Sequence, residues 1–478
     1  MQENEKLASA SLQSVKRLLP WLVAIAFFME SLDATILNTA VPTMAKALNV
    51  AALSMKSVLS SYTLSLAVFI PISSWMADRF GTRRVFSTAI GIFTFGSLLC
   101  GVSTSIQFLV FSRILQGCGG AMMVPVGRLT LVRSFAKREL VKAMTFVAIP
   151  ALIGPMLGPL IGGLIVGFTH WRMIFFVNLP IGLLGLYLVY RFLPDYRAKK
   201  VDRLDIVGLI LLGSGISLLS YVLEVFGEHT LSTLEILGLL GIAVSLLGAY
   251  GMHAQVITRP LLRFGLLRIR TLRASVAGNF FTRLGAGGMP FLLPLLYQIG
   301  LGYSPIQSGL LVLPQSLAAI ILRIWIQRIL NFFGYRKLLL FNTVFIGVFI
   351  MSFAFIRIDS SVTLIVALAI GFGIFSSMQY TCMNTLGYAD VSDEDTSMAS
   401  TIMSTVQQLS LSFGVATASL ATALFIPDRL HATPDQLIAG IHRAFVVLGL
   451  MTVASGVGFF DLKDNDGDNV SGHQGVEA

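Results

Sequence analysis

Apolar runs long enough to cross a lipid bilayer recur from one end of this chain to the other, and they limit its fold more than any other feature. A helix rising 1.5 Å per residue needs about twenty apolar residues to span roughly 30 Å of hydrocarbon. Windows of that kind fall at about 18–40, 54–77, 85–103, 107–132, 141–168, 173–193, 206–226, 232–253, 273–299, 306–326, 338–356, 362–386, 397–424 and 440–460. Inside lipid every backbone polar group must be satisfied within the segment, which leaves helices for runs of this length. The expected fold is an all-α polytopic membrane protein with fourteen spans. Only 12% of the 478 residues are charged, against about 25% in soluble domains.

The bases are distributed unevenly. Of the 34 Lys and Arg, 25 fall in loops on one side of the predicted membrane, 6 on the other and 3 inside spans. Cytoplasmic loops carry the excess, so a multi-pass inner-membrane protein with both termini in the cytoplasm is expected. The net charge of +10 then reflects topology and calls for no nucleic acid. Residues 1–17 are polar, and the run after them is too long and too acidic for a cleaved leader. The first span is expected to serve as its own targeting signal.

The spans group as six, two and six, and the sixes read as copies. DRFGTRR at 78–84 is echoed by NFFGYRK at 331–337, an offset of 253 residues that maps Gly81, Arg83 and Arg84 onto Gly334, Arg336 and Lys337. Two repeated six-helix bundles with a site between them near the midplane is a transporter architecture. The expected organisation is a first bundle over 1–200, two added spans over 201–256, a second bundle over 257–462 and a polar, solvated tail over 463–478. That tail resembles a calcium loop at Asp464, Asp466 and Asp468, but Asn469 and Gly475 occupy positions that need Gly and Glu, so no metal site is expected.

Charged residues inside spans cost roughly 2.5 to 3.5 kcal/mol each and usually face an interior or a water-filled path. The first span, Trp21 to Met44, holds Glu30 and Asp33, three apart and so on one helical face, with Asn38 on the same side two turns on. Two carboxyls that close in low dielectric do not readily both ionise. The pair is expected to bind and release a proton, with pairing to a base elsewhere in the bundle as the structural alternative. Arg113 lies two turns inside the fourth span. Its guanidinium stays charged and needs an anionic partner, for which the first-span acids are the candidates. Arg283 in the ninth span is the repeat-related counterpart of Glu30, and two readings stay open for it: facing the acids across the cavity, or holding an anionic group of a substrate. Asp78, with Arg79, Arg83 and Arg84 around Gly81, forms a charge cluster at a span end that could latch the two halves. The amides Gln298, Gln315, Gln379, Asn384 and Gln407, with Tyr62 and Met122, are candidates for a large, adaptable cavity surface.

Enzyme chemistry finds no footing. The six His and three Cys make no nucleophilic or metal-ligand spacing, and no Gly-x4-Gly-Lys-Ser/Thr loop for ATP occurs.

Four stretches add up to one resemblance. SWMADRFGTRR at 74–84, LVFSRILQGCGGA at 109–121, GPMLGPLIGG at 154–163 and LDATILNTAVP at 32–42 are similar to the signature motifs of the major facilitator superfamily. With fourteen spans, the chain resembles its fourteen-helix drug:proton antiporter branch. Ser74 replaces the usual opening glycine of the loop motif, and Asn331 stands where the first half has Asp78. The resemblance implies gating by the Asp78 cluster and proton coupling through Asp33 and Arg113. Glu30 lies outside the motif and would bias the cavity toward cations. The small residues of the fifth span, Gly154, Pro155, Gly158, Pro159, Gly162 and Gly163, mark exporters. The expected function is therefore a proton-coupled antiporter exporting amphipathic, cationic or neutral small molecules as a monomer, with the proton gradient in place of a cofactor. Export of an endogenous metabolite, lipid or siderophore is the nearest alternative, and a non-transporting sensor or scaffold is the rival from another class.

Overall fold

The structure, a computed structural model, describes residues 2–135, 137–198, 201, 203–225, 231–392, 394–426 and 434–471. Lys199, Lys200 and Asp202 of the basic linker and residues 472–478 of the tail, including Gly475, lie outside that set. Among the described residues the regular elements are all helical. In order they are α1 Leu18–Ala47, α2 Ala52–Phe80, α3 Thr82–Gly101, α4 Ile106–Ser134, α5 Lys137–Phe168, α6 Met173–Phe192, α7 Ile206–Val225 and α8 Thr233–Val256. The second half continues with α9 Arg270–Ala286, α10 Pro305–Phe333, α11 Tyr335–Phe355, α12 Val362–Leu386, α13 Thr396–Ala423 and α14 Asp435–Phe459.

Eleven helices among the described residues are long and apolar enough to cross a membrane, three fewer than the sequence windows suggest. Length and polarity explain the difference for α9 and α13, while α5 enters only through its described apolar stretch, Ile153–Phe168. Arg270, Arg273, Asn279 and Arg283 lower the hydropathy of α9, which stops at Gly287 and Gly288 and resumes over Met289–Leu295 with Pro290 in its first turn. The third, α13, is rich in Ser, Thr and Gln. Helices that turn a face to protein can carry such residues because partners there replace water.

Local chemistry sets the helix starts. Ser105 and Ser361 cap α4 and α12, each accepting a backbone N–H at 3.3 Å, and Ser232 with Glu235 and Ser304 with Gln307 form capping boxes at α8 and α10. A cap of this kind is worth about 1 kcal/mol. The repeat shows in the turns between α2 and α3 and between α10 and α11. Gly81 at φ +95° and Gly334 at φ +68° hold the same place in each half, in a region where a Cβ is disfavoured.

The two halves meet unequally at their two ends. On the face opposite the basic loops, one apolar core runs through both halves, from Leu37, Met44 and Leu53 to Phe291, Tyr297 and Phe445. On the basic-loop face the core divides, with Phe27, Phe86 and Met123 in one cluster and Leu330, Tyr335 and Met383 in another. Hydrogen bonds stitch the joined end. Gln298 Nε2 donates to Thr39 O at 2.7 Å, Ser60 and Ser412 exchange hydroxyl-to-carbonyl bonds at 3.3 Å, and Ser419 Oγ donates to Leu53 O at 3.3 Å. Here α5 is wedged between the halves. Gly154, Gly158 and Gly162, one turn apart, seat on Ser31, Thr35 and Ile36 of α1, while Gly163 meets Pro305 of α10. Pro159 O accepts Thr39 Oγ1 at 3.0 Å and lies against Gly309. The added helix α7 also straddles the seam, since Leu212 and Ile216 share a cluster with Leu64 and Val68 of α2 and Ile402 of α13.

The tail departs from the expected solvated segment. Asp464 pairs with Arg336 at 3.0 Å, Arg270 grips Asp466, and Arg273 pairs with Asp461. Asp466 is only 6% exposed. Asp464 and Asp466 fold back because Arg336 and Arg270 of the second half lie within reach, while Lys463, Asn465, Asn469 and Val470 stay exposed as expected.

Replacing Gly309 with Val drives a side chain into the Pro159 carbonyl, and overpacking of this kind costs about 1–3 kcal/mol. Thermal denaturation of purified protein should start several degrees lower for Gly309→Val, whereas Gly241→Val on α8, where nothing lies within 4 Å, should leave it unchanged.

Candidate functional site

Helix α1 delivers two acids to two different environments. Asp33 is fully buried. Its Oδ2 lies 2.5 Å from Arg113 Nη1, and its Oδ1 accepts Gln116 Nε2 at 3.0 Å and Asn178 Nδ2 at 2.7 Å. Arg113, 1% exposed, also donates to Gln116 Oε1 at 2.7 Å and to Val58 O at 3.4 Å, and its guanidinium carbon stands 4.2 Å from the centre of the Tyr62 ring. Asn178 is held in turn by Ser97 Oγ at 3.0 Å. Desolvating an ion pair costs several kcal/mol per ion, and the Coulomb attraction offsets this only when the remaining donors and acceptors are filled. Gln116 and Asn178 do that filling. They tie α1 to α4, α6 and, through Ser97, α3.

Glu30, one turn earlier, does not share Arg113. The Tyr62 hydroxyl reaches its Oε1 at 3.4 Å, so Tyr62 touches both centres, with its ring on Arg113 and its hydroxyl on Glu30. Asn38 follows the acids just beyond the regular helix. Regular helix stops at Ile36, and Asn38 lies buried in a single 3-10 turn, Asn38–Ala40.

The loop cluster is built differently from its sequence. Asp78 Oδ1 pairs with Arg133 Nη2 of α4 at 2.6 Å, while Arg79, Arg83 and Arg84 are exposed. The Gly81 turn is strapped to the linker beyond α6, with Thr82 Oγ1 donating to Pro194 O at 3.0 Å and Asp195 Oδ1 accepting Arg83 N at 3.2 Å. A Cβ on Gly81 would collide with the Asp195 carboxylate.

The cavity candidates separate. Gln379 is fully buried and bonds Asn342 and Thr343 of α11 at 2.8 Å each, so it joins helices and lines no cavity. Gln298 belongs to the seam. Gln315 packs its backbone on Gly373, and its Oε1 is buried without a partner. Met122 lines an apolar pocket of about 630 Å³ among α2, α3 and α4, with Phe69, Met76, Phe80 and Cys118 beside it and Arg84 at its rim. Asn384 and Gln407 are half-buried. Arg283 lies on α9 over the ring of Tyr380, 3.8 Å from its centre.

Sequence reasoning missed Gln116, Asn178 and Arg133 as members of these centres. Gln116 had a signal, since it follows Arg113 by three and shares its helical face. No spacing relates Asn178 to Asp33, and Arg133 reads as one more basic loop residue.

Removing one partner of a buried pair leaves an uncompensated charge, which costs about 3–5 kcal/mol, whereas replacing both costs less. Thermal denaturation should therefore rank Asp33→Ala below Asp33→Ala/Arg113→Leu. An additive double variant would mean that the pair does not stabilise the bundle.

Residues 23–415 match the family model of the Major Facilitator Superfamily. The chain is 38% identical over 428 residues, 89% of each chain, to a protein of Enterobacter sp. (strain 638) that bears the provisional name multidrug resistance protein MdtD. A protein of the same name from Escherichia coli O6:K15:H31 (strain 536 / UPEC) is 39% identical over 405 residues, 85% of this chain and 86% of its own. Among solved structures, a bacterial homolog of the human lysosomal transporter Spinster, in an inward-facing and occupied conformation, aligns with a TM-score of 0.69 at 13% identity, covering 93% of this chain and 96% of its own. A structure described under substrate recognition in proton dependent oligopeptide transporters aligns at 0.63 and 17% identity, covering 93% and 98%. The chain belongs to the major facilitator superfamily: it is a multi-pass membrane transporter of small molecules and not an enzyme.

Proposed function

We propose that the protein is a proton-coupled antiporter that exports amphipathic small molecules or drugs across the inner membrane. The observation that carries this reading is the buried centre of Asp33, Arg113, Gln116 and Asn178. An ionised Asp33 holds Arg113. A proton on Asp33 removes the charge that neutralises Arg113, weakening the tie between α1 and α4 and shifting the balance between the two open states. Glu30, Tyr62 and the half-buried amides line the route to that centre and contribute to substrate binding.

The excess of bases sets the basic-loop face, with both termini, in the cytoplasm. The divided core on that face then corresponds to a state that loads substrate from inside, with the opposite end closed by α5. The Asp78–Arg133 pair holds α2 to α4 at the cytoplasmic rim and acts in gating. The names of the relatives from Enterobacter and Escherichia coli agree with drug export. One proton moving through about 100 mV supplies about 2.3 kcal/mol, which at about 1.4 kcal/mol per decade sustains roughly a fiftyfold gradient of neutral substrate. No cofactor is needed beyond the proton gradient, and a monomer suffices.

Proton release on substrate addition, measured in weakly buffered detergent solution across cationic, neutral and anionic compounds, tests the coupling. Release by the wild type should vanish in a folded Asp33→Asn variant. Release that persists there, or a wild type that binds compounds without releasing protons, sinks the reading. At the rim, Arg133→Ala should slow efflux from cells as much as Asp78→Asn, with thermal stability lowered by no more than about 1 kcal/mol, as befits a half-exposed pair.

A further inference from the structure

The second half carries a buried cation that the fold does not neutralise. Arg283 is 7% exposed. Its Nε donates to Asn279 Oδ1 at 3.3 Å, and its guanidinium stacks on Tyr380. Among the described residues no carboxylate forms an ion pair with it, and its two Nη groups make no hydrogen bond. Neither Nη group is completely sealed off, although the residue as a whole is buried. Arg113 marks the contrast: it too lies on a tyrosine ring, but with Asp33, Gln116 and a carbonyl around it.

Position does not account for this cost. Arg283 sits in the last turn of α9, where the carbonyl end of a helix favours a cation by about 0.3–1 kcal/mol. Burying a charge costs several times that, and one stacked ring with one amide leaves most of its five donors idle.

The surroundings place the stacked pair where α9 and α12 meet, with α10 and α13 alongside. On α12, Ser377 bonds Ala319 O of α10 at 2.9 Å, and Gly387 packs on Met403 of α13 and Ser275 of α9. Tyr380 lies between them on α12, is half-buried, and sets its ring under the Arg283 guanidinium of α9. Phe280 and Phe413, edge to face at 6.0 Å, supply an apolar wall on α9 and α13. By the repeat offset that relates Gly81 to Gly334, Arg283 is the counterpart of Glu30, so the two first helices bring opposite charges to corresponding places.

We infer that Arg283, stacked on Tyr380 and steadied by Asn279, is the subsite for a substrate's anionic group, and that the transported amphiphiles carry a carboxylate on an apolar body. A planar guanidinium with free donors matches a carboxylate in two parallel hydrogen bonds. The inference rests on the transport reading above and narrows its substrate class toward zwitterions and organic acids, away from the purely cationic or neutral compounds that the sequence suggests.

Two dyes that differ only at a carboxyl test it: rhodamine 110, with a free carboxylate, and rhodamine 123, its methyl ester. Binding of each to the purified full chain is read by fluorescence polarisation. The wild type should prefer the carboxylate dye by about tenfold or more, the worth of a hydrogen bond to a charged group. Arg283→Gln should bring the ratio of affinities close to one, and Arg283→Lys should restore part of it. Where Arg283→Gln does not fold, Tyr380→Leu, which removes the stacking platform, should lower the ratio several-fold. A wild type without preference, including one that binds neither dye, overturns the inference, as does an Arg283→Gln variant with the wild-type ratio. Proton release on the same samples reports separately on coupling: its absence alongside an intact carboxylate preference defeats the antiport reading and leaves the subsite standing.

Discussion

The buried pair of Asp33 and Arg113 is the constraint on which the first half depends. Two full charges in the middle of a bilayer protein persist only because the pair is closed at 2.5 Å and its remaining valences are filled by Gln116 and Asn178. That requirement fixes the mutual positions of α1, α4 and α6. It also explains why α1 needs a close neighbour on its other side. Gly154, Gly158 and Gly162 let α5 approach the backbone of α1 turn by turn, so the acid-bearing helix is clamped between an electrostatic contact and a steric one.

The repeat is closer in backbone than in charge. Gly81 and Gly334 make the same positive-φ turn, and Ser105 and Ser361 cap corresponding helices. The charged contacts diverge. Where the first half uses Asp78 with Arg133 at its rim, the second half has Asn331, and its Arg336 takes Asp464 from the tail instead. In the interior the first half closes its arginine with an acid, and the second leaves Arg283 on a tyrosine ring. Bundles related in this way can form one cavity and still present different chemistry from its two sides.

Much of this was legible in the chain because hydrophobic length and motif spacing are local properties. The helix positions, the duplication, the small-residue run of α5 and the importance of Asp33 and Arg113 as residues that need partners all follow from distances along the sequence. The span count is less secure for α9 and α13, since hydropathy undervalues helices whose polar faces are satisfied by protein. Gln379 reads as cavity surface because its partners, Asn342 and Thr343, lie on α11, and Asp464 and Asp466 of the tail read as free acids because their arginine partners lie more than a hundred residues away.

By itself, then, the sequence determined that the chain crosses a membrane many times as two related bundles, and that its first helix brings acids to a place where charge is costly. Those statements need only the length of apolar runs, the cost of burying a carboxylate and the steric latitude of glycine. Tertiary structure decided which partner each charge takes: Arg113 for Asp33, Tyr62 for Glu30, Arg133 for Asp78 and, among the described residues, no acid for Arg283. Pairing depends on which helix faces meet across the bundle, and side chains 32, 55 or 80 residues apart carry no mark in sequence of the distance that will separate them once packed.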